Sequence, residues 1–509
     1  MQKNNKVFDL VVIGGGINGV GIARDAAGRG LSVALCEQGD LGGATSSTSS
    51  KLIHGGLRYL EHYEFRLVRE SLAEREVLLR SAPHLVRPLR FVLPHVSTQR
   101  PAWIIRAGLF LYDHLSRRVT LPGSEGVDLQ RSPLGGGLKS DYRKGFAYSD
   151  CQVDDARLVI ATARAAASLG ADIRVRTACT RAEVRDGLWQ VSLESRDVGT
   201  RDGLLARVLV DVAGPWVERV RSSLGGLPPG KTIRLIKGSH IVVPRVHDGR
   251  HAFILQNDDG RVIFVIPFQE AYSLIGTTEV ELDGDSAAAA ITHEETEYLC
   301  RAVNRYLARP VGPDDVVWSY AGVRPLFGDD EQGLSAITRD YELDLDTANG
   351  APALTVYGGK ITTYRRLAEH ALHELKPYFP NMGPSWTESA HLPGGNMPAD
   401  GIGVLSDQLE RDYPGLPRSL LETLGHRHGT LSREVLSGTH DIEALGQHFG
   451  AQLYEREVDY LIEHEWARTA EDILWRRTKC GLHMSEHERT NVAEYLARHS
   501  QSTRAKTIP

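Results

Sequence analysis

At 509 residues the chain is long enough for two or three domains, each with its own buried core. Hydrophobic residues at 41% and charged residues at 24% are the proportions of a soluble globular protein, and they exclude a disordered or fibrous chain. A net charge of −6 excludes a global pull towards nucleic acid, so any electrostatic partner must be met by a local patch.

The N-terminal M-Q-K-N-N-K runs straight into the first element and leaves no room for a signal peptide. Residues 7–13 are apolar and rich in β-branched side chains, as in a strand buried within a parallel sheet. Gly14, Gly16 and Gly19 then fill a G-x-G-x-x-G frame, with Ala23 small enough for a following helix to lie close to the sheet. The first glycine permits the tight turn, the second lets backbone approach a pyrophosphate, and the third allows close helix–strand packing. A helix N-terminus at this point directs free N–H groups at the phosphates. A second strand over residues 32–36 ends in Glu37, whose carboxylate suits a ribose with both hydroxyls free and disfavours NADP. The motif leaves NAD and FAD open. Residues 45–50 are a run of small hydroxyl side chains; we read Thr45, Ser46, Ser49 and Ser50 as contacts to a flat cofactor rather than as a linker.

Four strings carry a resemblance: S-S-K-L-I-H-G-G-L-R-Y-L-E (49–61), Y-S-D-C-Q-V-D-D-A-R-L (148–158), I-K-G-S-H-I-V-V-P (236–244) and Y-G-G-K-I-T-T-Y-R-R-L-A (357–368). The chain resembles the FAD-dependent, quinone-linked glycerol-3-phosphate dehydrogenases of the D-amino-acid-oxidase-like flavoprotein superfamily. The resemblance implies FAD, and so settles what the glycines left open. It also implies glycerol 3-phosphate as substrate, quinone as acceptor, and attachment to the cytoplasmic face of the cell membrane.

Residues 64–80 read as an amphipathic helix with Phe65, Val68, Leu72 and Leu79 on one side and its charges on a solvated face. Over residues 100–118, Trp103, Ile104, Ile105, Leu109, Phe110 and Tyr112 are interleaved with Arg100, Arg106, Arg117 and Arg118. That is the composition of an interfacial membrane helix, with a core-packed helix as the alternative. No apolar run reaches the ~18 residues of a spanning helix. An alanine-rich helix is expected over 154–169, then strand-like pieces to residue 212. The string A-G-P-W follows, from which the resemblance carries over Gly214 and Pro215; Asp211 and Val212 stand where the family has Asn-Ala. Residues 232–280 read as antiparallel sheet with a hairpin at N-D-D-G, and Thr292 with Glu295 forms a capping box. Residues 353–357 form a further strand, with Gly359, Lys360 and Thr362 at the turn into the next helix and against the flavin. From about residue 385 the chain is helical, with Arg476 and Arg477 on a solvated face. The five cysteines are scattered without C-x-x-C spacing, which fits a reducing compartment and gives no metal site.

The expected fold is thus mixed α/β (α+β). A Rossmann-type FAD-binding domain with a parallel sheet takes residues 6–81, 146–231 and 346–384. A cap region takes 82–145, an antiparallel-sheet substrate domain 232–345, and an α-helical C-terminal domain 385–509. Oxidising glycerol 3-phosphate requires cations for the phosphate and a base for the C2 hydroxyl proton. Arg58, Arg324, Arg339 and Lys360 can supply the cations, and Tyr59 and Thr277 hydrogen bonds. His54 is the favoured base and His240 its rival. An oxidase using O2, or a flavin-binding regulatory protein without turnover, is the alternative. Oligomeric state, a homodimer included, is left open.

Overall fold

The computed structural model describes residues 6–96, 100–327, 340–348, 350–398 and 401–506, with side chains to residue 499. Its first sheet runs in the order Tyr341–Asp346, Ala353–Gly358, Arg201–Asp211, Val7–Ile13, Val33–Cys36 and Asp172–Arg174. The four pairings from Ala353–Gly358 to Asp172–Arg174 are parallel. The apolar runs of its central strands suit that arrangement: Leu10, Val11, Val12, Val208, Leu209 and Val210 are fully buried, as in a sheet covered on both faces. Helices Ile17–Gly28, Asp155–Ser168 and Tyr364–Glu374 cover one face. The hairpin Thr177–Arg185 with Leu188–Ser195 brings Trp189 and Val191 to the other. Asp154 caps its helix by accepting a hydrogen bond from the Arg157 amide.

The second sheet is antiparallel except where Ala252–Gln256 pairs with Val86–His95. Its long strands are Arg234–Pro244, Val262–Phe268, Lys144–Val153 and Trp318–Leu326. One face packs on helix His293–Val303, which opens with the expected Thr292–Glu295 capping box; the other packs on Phe65–Ser81 and Ala102–His114. Two segments change sides relative to the sequence reading. Lys144–Val153 pairs with Val86–His95 in the second sheet, and Tyr341–Asp346 is the antiparallel edge of the first. Strand composition gives no partner, so neither boundary could be placed from it.

The C-terminal region has its own core around Leu421, Phe449, Val458, Leu461 and Val492, built by helices such as Arg418–His428, Glu455–His464 and Glu486–Lys506. A π-helical turn, Asp472–Arg477, faces the rest of the molecule. Arg477, read from sequence as solvated, is fully buried and pairs with Asp40, and Arg476 pairs with Asp40 at 2.5 Å. Arg157–Glu465 adds a buried ion pair and Lys479–Asp154 a partly buried one between the C-terminal and nucleotide domains. Trp475 stacks on Trp318 of the second sheet, with ring centroids 4.9 Å apart.

Two other readings are corrected by burial. Glu74, Arg75 and Glu76 of helix Phe65–Ser81 are buried, because Arg365 and Asp150 provide partners for Glu74 and Arg75. Tyr112 and Leu109 of helix Ala102–His114 point inward, while Trp103 is 71% and Phe110 59% exposed. No helix among the described residues is long and apolar enough to cross a membrane.

Candidate active site

A cavity of about 1150 Å³ lies where the two sheets meet. It exceeds the 300–1,000 Å³ typical of a pocket for one small molecule, and suits a dinucleotide with a substrate beside it. Gly14 and Gly16, Glu37, Thr45, Ser46, Ser49, Ser50, His54, Arg58, Tyr59, Gly214, Pro215, Thr277, Arg324, Gly359, Lys360 and Thr362 all line it. The structure therefore gathers these residues, from Gly14 to Thr362, around one space.

The nucleotide end is built at the carboxyl edge of the first sheet. A side chain at Gly14 would lie 2.6 Å from the Val212 carbonyl oxygen. Gly19 lies in the helix rather than on the cavity, and a side chain there would meet the Gly14 carbonyl at 2.0 Å. Helix Ile17–Gly28 has Gly16 as its N-cap with no side-chain cap. The Gly15 and Gly39 amides each donate to one Glu37 oxygen at 2.7 Å. Burial raises the Glu37 pKa and these two amides oppose the rise. Both oxygens keep a lone pair, so the fixed carboxylate can still accept from ribose hydroxyls. Asn18, which also lines the cavity, donates through Nδ2 to the Gly358 carbonyl at 3.3 Å, and its Oδ1 is buried without a partner among the described residues. A helix start whose N-cap glycine brings no side chain, close-approach glycines and a held carboxylate fit FAD.

The hydroxyl run is ordered structure. Ser46 Oγ accepts from the Ile17 amide, Thr45 Oγ1 donates to the Val323 carbonyl at 2.6 Å, and Ser49 Oγ donates to Asp155 at 2.8 Å. These residues line the cavity, but those hydroxyls also tie the loop to helix and sheet.

In H-G-G-L-R-Y, Gly56 has φ +77°, and a side chain there would strike the Tyr59 ring at 2.2 Å. This left-handed turn brings His54 and Arg58, on either side of it, to one cavity. Arg58 Nη2 donates to the Gly260 carbonyl of the N-D-D-G turn at 3.2 Å, and Lys360 Nζ sits 4.0 Å over the Tyr59 ring. Arg324 comes from strand Trp318–Leu326, opposite Ile236. Three cations thus reach one cavity from three separate segments. Arg339 falls outside the described residues.

His240 does not line the cavity. Its ring is stacked on Tyr320 with centroids 4.9 Å apart, and Nε2 lies 2.9 Å from Ser50 Oγ, a cavity residue. Its Nδ1 has no partner among the described residues. Burial, with Arg324 and Lys51 nearby, holds its pKa well below the ordinary imidazole value, so the ring is neutral at pH 7.

Some lining residues lay outside the sequence reading. Asp150 accepts from Arg75, Tyr112 and the Gly55 amide, and so braces the His54 turn. It sits within the Y-S-D-C-Q-V-D-D string, a signal that carried no role. Phe91, Tyr148, Ile254 and Phe264 supply an apolar wall from the second sheet. Asp211 is buried at the end of its strand, and burial pushes its pKa up to about 8.

Residues 9–365 match the FAD dependent oxidoreductase family, and residues 385–506 match the C-terminal domain of alpha-glycerophosphate oxidase. The chain is 54% identical to a glycerol-3-phosphate dehydrogenase of Pseudomonas aeruginosa over 96% of its length and 95% of that protein's. It is 50% identical to the D-erythritol 1-phosphate dehydrogenase of Brucella abortus, over 96% and 97% of the two chains. The structure of a Bacillus halodurans glycerol-3-phosphate dehydrogenase complexed with FAD superposes with a TM-score of 0.74 at 26% identity, covering 97% of this chain and 94% of that one.

Proposed function

Because the chain belongs to the FAD dependent oxidoreductase family, we propose that it oxidises sn-glycerol 3-phosphate to dihydroxyacetone phosphate and passes the electrons to a membrane quinone. The observation that carries the substrate assignment is the convergence of Arg58, Arg324 and Lys360 on a cavity that fits FAD. FAD, when bound, supplies the two-electron acceptor for the hydride from C2.

The three cations bind the phosphate dianion, and a guanidinium can do so through two parallel hydrogen bonds. The stack of Lys360 on Tyr59 holds the ammonium in place. His54 takes the proton from the C2 hydroxyl as the hydride leaves. His240, neutral and fixed by Tyr320 and Ser50, supports the hydroxyl run from behind. The apolar wall around Phe91 and Phe264 limits water around the reacting carbon.

Quinone as acceptor and attachment to the membrane form one reading. A long-chain quinone is confined to the bilayer, and Trp103, Ile104, Phe110 and Leu111 form an exposed apolar face rimmed by arginines. The dehydrogenase names of its relatives favour this over the oxidase alternative. The test has two halves: glycerol 3-phosphate added without O2 should bleach the flavin absorbance, and the reduced protein, mixed separately with quinone or with O2, should recover it faster with quinone. D-erythritol 1-phosphate is run beside it, given the Brucella relative. A flavin that stays oxidised with both substrates overturns the reading.

A further inference from the structure

The C-terminal domain supplies part of the cavity wall. Thr469, Glu471, Asp472 and Arg476 line the same space as Glu37, Gly39 and Arg176. Glu37 is placed to receive the ribose of a dinucleotide, so these side chains stand at the adenosine end. They are held there by charge. Arg476 Nε donates to Asp40 and its Nη2 to Asp472, both at 2.5 Å. Asp472 also accepts from Arg176 Nη2 at 2.9 Å and from the amides of Arg468 and Thr469 at 2.8 and 2.9 Å. Asp40 and Arg176 belong to loops following strands Val33–Cys36 and Asp172–Arg174 of the nucleotide sheet. The chain Asp40–Arg476–Asp472–Arg176 therefore runs from one nucleotide-domain loop to another through the C-terminal domain. Arg477, buried and also paired with Asp40, fixes the same turn from below.

We propose that residues 469–476 are part of the dinucleotide site and retain FAD by closing its adenosine end. The inference deepens the flavoprotein reading and assigns the C-terminal domain a ligand-holding role. Arg476 acts as a positioning residue: it keeps Thr469 and Glu471 against the cavity while its own charge is met by Asp40 and Asp472. An FAD molecule leaving by this end requires that bridge to open first.

The experiment uses the full-length holoenzyme. FAD release is followed as the rise in flavin fluorescence after dilution, and ADP, which carries only the adenosine half, is titrated as a competitor. Arg476→Gln and Asp40→Asn break the same bridge from its two sides. Each should speed FAD release about tenfold, within the usual range of coupling between linked elements. Each should also weaken ADP competition by a similar factor. Should one variant fail to fold, the other carries the test. Unchanged release overturns the proposal. Faster release with undiminished ADP competition also overturns it, because the loss then comes from general loosening. Protein that takes up no FAD at all would overturn the cofactor assignment instead.

Discussion

At the scale of single residues, the phosphate clamp and the base make separable predictions. Arg58→Ala should weaken transition-state binding of glycerol 3-phosphate by about 2–5 kcal/mol, the range for truncating one partner of a desolvated charge pair. Measured as kcat/KM, the loss should be much smaller with glycerol, which has no phosphate. His54→Asn should lower kcat by about 10²–10⁴ and alter the pH–rate profile, with a smaller effect from His240→Asn. Asp211 offers a stability test. Its folded pKa of about 8 lies above the ordinary aspartate value, so the folded state holds a proton that the unfolded chain has lost. Asp211's own contribution to stability is accordingly lost as pH rises from about 4 to 8. Asp211→Asn, neutral throughout, should gain on wild type over that window by on the order of 1–5 kcal/mol. Urea midpoints at pH 5 and pH 8.5 would measure it; an equal difference at both sinks the assignment. Sequence made Glu37, the glycines and the His54–Arg58 string legible because their chemistry is local. It did not show the burial of Asp211 or the bracing by Asp150, since both depend on strands distant in sequence.

At the scale of elements, helix Ala102–His114 is where the structure adds most to the sequence reading. Its composition allowed either a core helix or an interfacial one. The structure buries Leu109 and Tyr112 and leaves Trp103 and Phe110 outward, which is the division an interfacial helix needs. The double variant Trp103→Asp with Phe110→Asp should release the protein from anionic liposomes while activity with a soluble acceptor survives. Co-sedimentation equal to wild type would place attachment elsewhere. Helix Phe65–Ser81 shows the limit of periodicity. The charges off its apolar stripe read as solvated, yet Arg365 and Asp150 arrive from other segments to bury Glu74 and Arg75. A pattern reports where apolar surface is needed, but gives no sign of a buried partner waiting for a charge.

At the scale of the whole molecule, the C-terminal domain is joined to the nucleotide domain by buried charges. Arg157 and Glu465 are both buried, and His428 lies beside them. Glu465→Gln leaves Arg157 without its full countercharge, and should destabilise the interface by about 3–5 kcal/mol, seen as earlier undocking in urea. Acid should act in the same direction. Burial lowers His84 to about 3 and His247, His251 and His426 to about 4. The unfolded chain takes up these protons near pH 6.5 and the folded one does not, so stability falls as pH drops from 6.5 towards 4. Glu465, held down to about 2 chiefly by Arg157 against the effect of burial, loses its contribution from about pH 4.5 downward. Urea midpoints should therefore fall steadily from pH 7 to pH 5; a flat profile would contradict the buried neutral imidazoles. The domain count and helical character of this region were legible from composition. The interface was not, because Arg476 and Arg477 are indistinguishable from surface arginines until Asp40 is placed beside them.

The stacked rings of Trp318 and Trp475 have an optical consequence. The two indoles belong to different domains and lie 23° from parallel, close enough for their electronic transitions to mix. Docked protein should then show a paired near-ultraviolet circular dichroism band that neither tryptophan gives alone. Trp475→Leu should erase it without unfolding the chain, and any treatment that parts the domains should erase it before the far-ultraviolet signal changes. The interface thereby carries its own spectroscopic gauge, readable in solution without a label.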